Sequence, residues 1–146
     1  MKPEVRPIPE GYHSLTPYLT VSGVGKLLEF LARAFGANEI CRMNRPDGSV
    51  WHAEMQIGDS RLMLGEANEE WKARPSTLYL YVEDVDATYA RAVAAGGKLL
   101  REPATQPYGD RSGGVEDPSG NQWWISTHVE DVAPEEIERR MKGASH

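Results

Sequence analysis

Apolar and polar positions along the chain fall in a pattern that occurs twice. Leu15-Thr-Pro-Tyr-Leu-Thr-Val21 and Thr77-Leu-Tyr-Leu-Tyr-Val82 each alternate as a short strand. After the first, Leu27, Leu28, Leu31, Ala34 and Phe35 recur at helical spacing over Lys26–Phe35, and Gly36 supplies a stop. After the second, Val85, Tyr89, Ala92 and Val93 make a similar stripe over Val85–Ala95, ahead of Gly96-Gly97. Three β-like runs follow each helix: 38–44, 50–57 and 61–65, then 98–102, 111–116 and 121–127. Arg45-Pro-Asp-Gly48 suits a type I turn, Gly58-Asp59 a hairpin, and Asp117-Pro-Ser-Gly-Asn121 the last tight turn. Residues 103–109, with Pro103 and Pro107, read as a loop, and residues 66–76, with Trp71 and Pro75, as a polar linker.

Two copies are too few for a solenoid. The expected fold is α+β: two βαβββ modules, 14–66 and 77–128, forming a cup-like, partly open mixed sheet with helices on its convex face. One domain then spans 14–128. Residues 1–13, with Pro3, Pro7 and Pro9, form an irregular arm. Residues 129–146 form a tail with a short helix over Glu135–Lys142, Pro134 lying near its first turn. Pro17 inside the first strand predicts an edge position.

Composition matters mainly for what it excludes. The 146 residues carry a net charge of −6 with both signs interspersed. That argues against a nucleic-acid partner, which would call for a basic face, and gives no polybasic signal for a membrane surface. No stretch approaches the roughly 18 apolar residues of a membrane span, and the first ten residues lack the apolar run of a secretory leader. The single cysteine, Cys41, cannot close an internal disulfide, so a reducing, cytoplasmic setting is expected. No base stands beside Cys41 in sequence, which reads as an inert thiol.

Strand alternation assigns faces. Thr16, Tyr18 and Thr20, then Thr77, Tyr79 and Tyr81, and on the last strand Gln122, Trp124 and Ser126, fall on the concave face. Leu19, Val21, Leu78, Leu80, Val82 and Ile125 fall under the helices. In 50–57, Ala53, Met55 and Ile57 meet the helix, leaving His52, Glu54 and Gln56 for the cavity. The expected ligand-binding residues are Tyr18, His52, Glu54, Met63, Tyr79, Tyr81 and Trp124. Such a wall suits a planar or amphipathic organic molecule, and carboxylates beside it favour a cationic one. The competing reading is that Tyr and Trp merely pack well on sheets and fill an interior or a dimer interface. Trp123 and Trp124 are adjacent, so one of them belongs to the core. Trp51 and Trp71 read as interface or lid residues without separation. His52 and Glu54, two apart on one strand, are the candidate catalytic acid/base pair, or two ligands of a displaced metal site whose third donor would be His13 or Asp110. The plainer alternative is that they bond each other and a polar group of a ligand. His128 reads as a surface or packing residue and His146 as the terminus.

The double βαβββ order and the ending Asp117-Pro-Ser-Gly-Asn-Gln-Trp-Trp124 resemble the vicinal oxygen chelate superfamily. That group includes glyoxalase I, extradiol dioxygenases, fosfomycin-resistance enzymes and bleomycin-resistance proteins. Trp51-His-Ala-Glu-Met-Gln-Ile-Gly-Asp-Ser-Arg-Leu-Met-Leu64, Tyr108-Gly-Asp-Arg111 and Thr127-His-Val-Glu-Asp-Val-Ala-Pro-Glu-Glu136 look like its PhnB-like, glyoxalase/bleomycin-resistance branch. The resemblance places metal ligands at positions held here by Thr16, Met63, Thr77 and Trp124. Thioether is a soft ligand and indole only donates, so no octahedral nitrogen and oxygen site is expected. It thus implies no metal and no cofactor, and a bleomycin-resistance-like homodimer that captures an aromatic or cationic small organic molecule in a cavity at its dimer interface. The alternatives are a lyase or isomerase using His52 and Glu54, with or without an unusual metal, and a fold relic whose dimer surface is the working part.

Overall fold

A left-handed glycine marks where the first helix must start and another where it must stop. Gly23 (φ 90) precedes α1 (Val24–Phe35) and Gly36 (φ 66) closes it, its amide donating to the Ala32 carbonyl. The computed structural model describes residues 4–143, so Pro3 and His146 lie outside the described residues. The chain divides into two units between Ser76 and Thr77.

In the first unit β1 (Tyr18–Val21), β2 (Asn38–Asn44), β3 (Val50–Ile57) and β4 (Ser60–Glu66) form one sheet in the order β1-β4-β3-β2. β1 runs parallel to β4 and the other pairs are antiparallel. In the second unit β5 (Thr77–Tyr81), β6 (Lys98–Thr105), β7 (Asp110–Glu116) and β8 (Gln122–His128) repeat that order as β5-β8-β7-β6, with α2 (Val85–Ala94) after β5. β5 is again parallel to β8. α3 (Pro134–Lys142) follows. The class is α+β, with two βαβββ modules as expected.

α1 and α2 each cover one face of their own sheet. Leu27, Leu28, Phe30 and Leu31 of α1 are buried together with Leu19, Val21, Ala53, Met55, Leu62 and Leu64. Full burial of such a side chain contributes about 1.5–3 kcal/mol. In the second unit Val85 and Ala92 of α2 are buried with Val115, Trp123 and Ile125. The Asp117 carboxylate accepts from the Trp123 indole N–H at 2.8 Å, from the Asn121 side chain at 2.9 Å, and from the backbone N–H groups of Ser119 and Asn121. The Asp-Pro-Ser-Gly-Asn turn is therefore tied to the core through one carboxylate.

The duplication extends to helix capping. One constant offset in numbering relates Tyr18 to Tyr79, Val21 to Val82, Met63 to Trp124 and Glu66 to Thr127. Glu66 accepts from the amides of Gly23 (2.9 Å) and Val24 (3.1 Å), satisfying orphan donors at the start of α1. Thr127 accepts from the Val85 amide at 2.9 Å and shares the start of α2 with Asp84, whose side chain accepts from Ala87.

Several boundaries differ from the sequence reading. β1 begins only at Tyr18, so Thr16 and Pro17 precede it; the Pro17 carbonyl still accepts from the Met63 amide at 3.0 Å. β6 runs on through Pro103 to Thr105, where a loop was expected. It tolerates the proline because β6 is an edge strand and its pairing with β7 slips between Arg101 and Ala104. The segment 66–76 is not a free linker. Ala67 donates to the Val21 carbonyl at 2.8 Å and Arg74 to the Thr20 carbonyl at 3.2 Å, which ties the segment back to β1. No helix among the described residues is long and apolar enough to cross a membrane.

Candidate functional site

A bulge in β3 sets up the site in the first unit. Met43 of β2 pairs with His52 and Asn44 with Val50, so Trp51 is the extra residue. Val50 is buried and Trp51 is 44% exposed. The bulge breaks the alternation and brings Trp51 out beside His52, their rings 5.8 Å apart.

Further lining comes from the segment after β4. Asn68 folds it into a tight turn: its side-chain oxygen accepts from the amides of Glu70 (2.9 Å) and Trp71 (2.7 Å), and its own amide donates to the Trp71 carbonyl. Trp71, 66% exposed, is presented by this turn. Tyr18, Thr20, Arg45, Trp51, Gly65, Glu66, Asn68 and Trp71 enclose a cavity of about 520 Å³. That volume is in the range of sites for small organic ligands.

Beside the cavity His52, Glu54 and Met63 share the sheet face of Tyr18 and Gly65 through the register of β1, β3 and β4. The Tyr18 hydroxyl lies 3.4 Å from His52 Nδ1, and His52 Nε2 lies 3.1 Å from Glu54 Oε2. A carboxylate only accepts, so in the neutral ring the proton sits on Nε2 and Nδ1 faces the phenol. Glu54, His52 and Tyr18 thus form a chain of polar groups that ends at the cavity wall.

The second unit gathers another polar cluster. Tyr79 and Tyr81 donate to Asp110 Oδ2 at 2.7 and 2.9 Å. His128 Nδ1 bonds Asp110 Oδ1 at 2.8 Å, and its Nε2 bonds Asp131 at 2.7 Å. Burial pushes the Asp110 carboxyl up, but the hydrogen bonds from Tyr79, His128 and Tyr81 outweigh it and hold the group below the usual carboxylate range. Asp110 and Asp131 together raise His128. Burial, then the bond to Asp110, pushes the Tyr79 phenol up; at Tyr81 the bond to Asp110 is the larger cause. On the same sheet Trp124 lies against Gly114, where a Cβ would come within 2.5 Å of its ring, and the Arg101 guanidinium sits 5.3 Å from the ring centroid.

Of the residues expected at a ligand site, Tyr18 lines the cavity, while His52, Glu54 and Met63 share its sheet face without lining it. Tyr79, Tyr81 and Trp124 belong to the second unit, where the two tyrosine hydroxyls are turned to Asp110. Trp123 is buried and Trp124 half-buried. His128 is not an idle surface residue, since both its nitrogens are engaged by carboxylates. Trp51 and Trp71, expected as interface or lid residues, line the cavity, and Arg45, Glu66 and Asn68 join them without having been expected there. A tryptophan three residues after an asparagine, in an otherwise polar segment, was the available signal.

The residues do not fit a divalent metal centre. Thr16, Met63, Thr77 and Trp124 offer hydroxyl, thioether and indole. Among the described residues no three His, Cys, Asp or Glu side chains converge in a way that could hold an ion. His13, one suggested third donor, is exposed ahead of β1, and Asp110, the other, is committed to Tyr79, Tyr81 and His128.

Comparison with known proteins agrees with this architecture. Residues 12–125 match the family model of the Glyoxalase/Bleomycin resistance protein/Dioxygenase superfamily, and the chain belongs to that superfamily. It is 32% identical over 139 residues to an uncharacterized protein of Mycobacterium bovis, covering 88% of this chain and 91% of that one. Among solved structures, TioX from Micromonospora sp. ML1 superposes with a TM-score of 0.70 at 23% identity, over 80% of this chain and 99% of that one. TnmS3, an antibiotic binding protein from Streptomyces sp. CB03234, does so with a TM-score of 0.65 at 22% identity, over 80% and 96%. At these identities both likenesses show the fold.

Proposed function

From that membership and the chemistry of the cavity, we propose that the protein captures a small organic molecule by its planar aromatic part, stoichiometrically and without a metal. The observation that carries this reading is a cavity of about 520 Å³ whose wall includes Tyr18, Trp51 and Trp71. Indoles supply large contact area at low entropic cost, and such anchors dominate binding energy. The antibiotic-binding description of TnmS3, a protein of the same fold, supports the same class of function. The donor set at Thr16, Met63, Thr77 and Trp124 supports metal independence. We further propose a cytoplasmic homodimer: Tyr79, Tyr81 and Leu99 leave the second sheet with exposed apolar surface of the sort that association covers. The cationic form of the ligand has less support, because Glu54 is paired with His52 and Glu66 with the start of α1.

The test is a thermal-shift panel of planar aromatic compounds and of divalent metals, each metal repeated with chelator. An aromatic ligand at a hundred times its Kd stabilises by about 2.7 kcal/mol. Stabilisation by aromatics alone is the expected result; stabilisation by a metal, reversed by chelator, contradicts metal independence. The chain from Glu54 through His52 to Tyr18 favours a second reading, a lyase or isomerase that moves a proton at the cavity wall. Recovery of the bound compound chemically unchanged after prolonged incubation counts against that reading.

A further inference from the structure

The charges around the cavity are not equally free. Two charged side chains line it, Arg45 and Glu66. The Glu66 carboxylate is taken by the amides of Gly23 and Val24, where it faces the positive end of α1. Glu54, on the neighbouring face, is paired with His52 at 3.1 Å. Both carboxylates are therefore already answered within the protein. Arg45 is different. Its backbone closes the turn, with N–H to the Ser49 carbonyl at 2.8 Å and C=O from Gly48 at 2.9 Å. Among the described residues its guanidinium has no hydrogen bond or ion pair. Asp47 lies within its electrostatic reach, but that carboxylate is held by the Ser49 amide and hydroxyl at 2.9 and 2.6 Å.

Among the uncharged polar groups the hydroxyls of Tyr18 and Thr20 can donate or accept, and Asn68 points the same way as Arg45. The Asn68 side-chain oxygen is used up by Glu70 and Trp71, which leaves its NH₂ as a donor toward the cavity wall. A guanidinium has five N–H donors and no acceptor. The unspent capacity is thus mainly donor capacity, with a whole positive charge, beside the indoles of Trp51 and Trp71. A ligand that fits must bring acceptor oxygens and negative charge together with a flat ring. A cation would meet Arg45 and find no free carboxylate.

We propose that the cavity selects planar aromatic carboxylates, the ring lying against Trp51 and Trp71 and the carboxylate accepting from the Arg45 guanidinium. This rests on the aromatic-capture reading above and adds the charge of the ligand to it. An aryl carboxylate is coplanar with its ring, and a guanidinium meets it edge-on through two parallel hydrogen bonds.

The experiment uses three probes with one ring system: 2-naphthoate, 2-naphthalenemethanol and 2-naphthylmethylammonium, titrated calorimetrically into the full chain and into Arg45→Gln and Trp71→Ala. Arg45 is exposed and its turn is closed by backbone, so the glutamine variant folds; circular dichroism checks this. Naphthoate is expected to bind about tenfold more tightly than the alcohol and more tightly still than the ammonium. Arg45→Gln should bring naphthoate down to about the level of the alcohol, whose own affinity falls much less because it carries no charge. Trp71→Ala should weaken whichever probes bind. If the ammonium binds as well as naphthoate, or Arg45→Gln keeps the preference intact, anion selection is overturned while the aromatic cavity stands. If none of the three binds at millimolar concentration, the aromatic-capture reading falls and this one with it.

Discussion

The Tyr18 ring lies against Gly65, in the space that any side chain at position 65 would fill. A Cβ on Gly65 would meet the Tyr18 hydroxyl and its ring carbons. Glycine here has an ordinary strand backbone and serves the close approach of the ring.

Gly65→Ala should therefore separate binding from folding. The obstacle is the far end of one half-exposed side chain, so the ring can swing away. Backbone entropy favours alanine by about 0.5–1 kcal/mol, so stability should stay within about 1 kcal/mol of the parent. Tyr18 then no longer holds its place on the cavity wall, and affinity for an aromatic probe should fall about tenfold. Denaturant melts and probe titrations on the same preparation check both halves. A large loss of stability with unchanged affinity would reject this role for the close approach.

The tie between Asp117 and Trp123 makes a second expectation. Trp123 is 2% exposed and its N–H has a carboxylate partner in the turn. Trp123→Ala should cost about 3–5 kcal/mol through the cavity it leaves. Trp123→Phe keeps most of the ring but leaves Asp117 one donor short, and should cost about 1–3 kcal/mol. Asp117→Ala strands several donors at once and should exceed the phenylalanine variant. Chemical denaturation of the three variants orders them; a phenylalanine variant as stable as the parent would show that the hydrogen bond contributes nothing net.

What the sequence disclosed and what it hid follow from the range of each interaction. Alternation and left-handed glycines are local, so the two βαβββ modules, Gly36 as the stop of α1, and the turn after Glu116 could be read directly. Trp51 could not be placed, because a bulge adds one residue to β3 and inverts the parity from which faces are assigned. Pro103 signals a strand end in sequence, but β6 continues past it, because an edge with a bulge absorbs a proline that an interior strand rejects. Glu66 caps a helix that starts far before it in the chain, and no local pattern announces such a partner. Trp71 joins Trp51 only because residues 66–76 fold back along β1. The face of Tyr18, His52, Glu54 and Met63 was readable from parity; the charge balance around Arg45 required the partners of every neighbouring carboxylate.

The pair His128 and Asp110 gives the molecule a pH dependence of defined sign. The hydrogen bond to Asp110, then that to Asp131, raises His128 above its ordinary value of about 6.5. A group raised on folding stabilises fully below its unfolded value, and the contribution is lost as pH rises through the folded value. Asp110 is lowered, so its contribution is present above about 3.8 and is lost as pH falls through its folded value. The difference in Tm between parent and His128→Gln should be largest between those two limits and should shrink on the alkaline side. A proton NMR titration placing the His128 imidazole at or below 6.5 would overturn this account.

Two aromatic surfaces, one in each unit, compete for the role of main ligand anchor, and truncation decides between them. Trp124 is among the residues that strand alternation assigns to the ligand-binding face. In the structure its ring is already in contact: Gly114 lies beneath it and the Arg101 guanidinium sits 5.3 Å from its centroid. Trp71 is more exposed and stands on a turn built by Asn68 to present it at the wall of the cavity. A surface already stacked within the protein must give up that contact to take a ligand, whereas Trp71 is 66% exposed and gives up mainly water. Trp71→Ala should accordingly weaken an aromatic probe by about 1–3 kcal/mol, with little change in Tm. Trp124→Ala should lower Tm through lost packing against Gly114 and lost stacking with Arg101, and leave the probe's Kd within about twofold. Calorimetric titration and melting of both variants measure all four quantities. If Trp124→Ala loses the probe and Trp71→Ala keeps it, the binding surface belongs to the second unit, and the cavity walled by Trp51 and Trp71 serves another purpose.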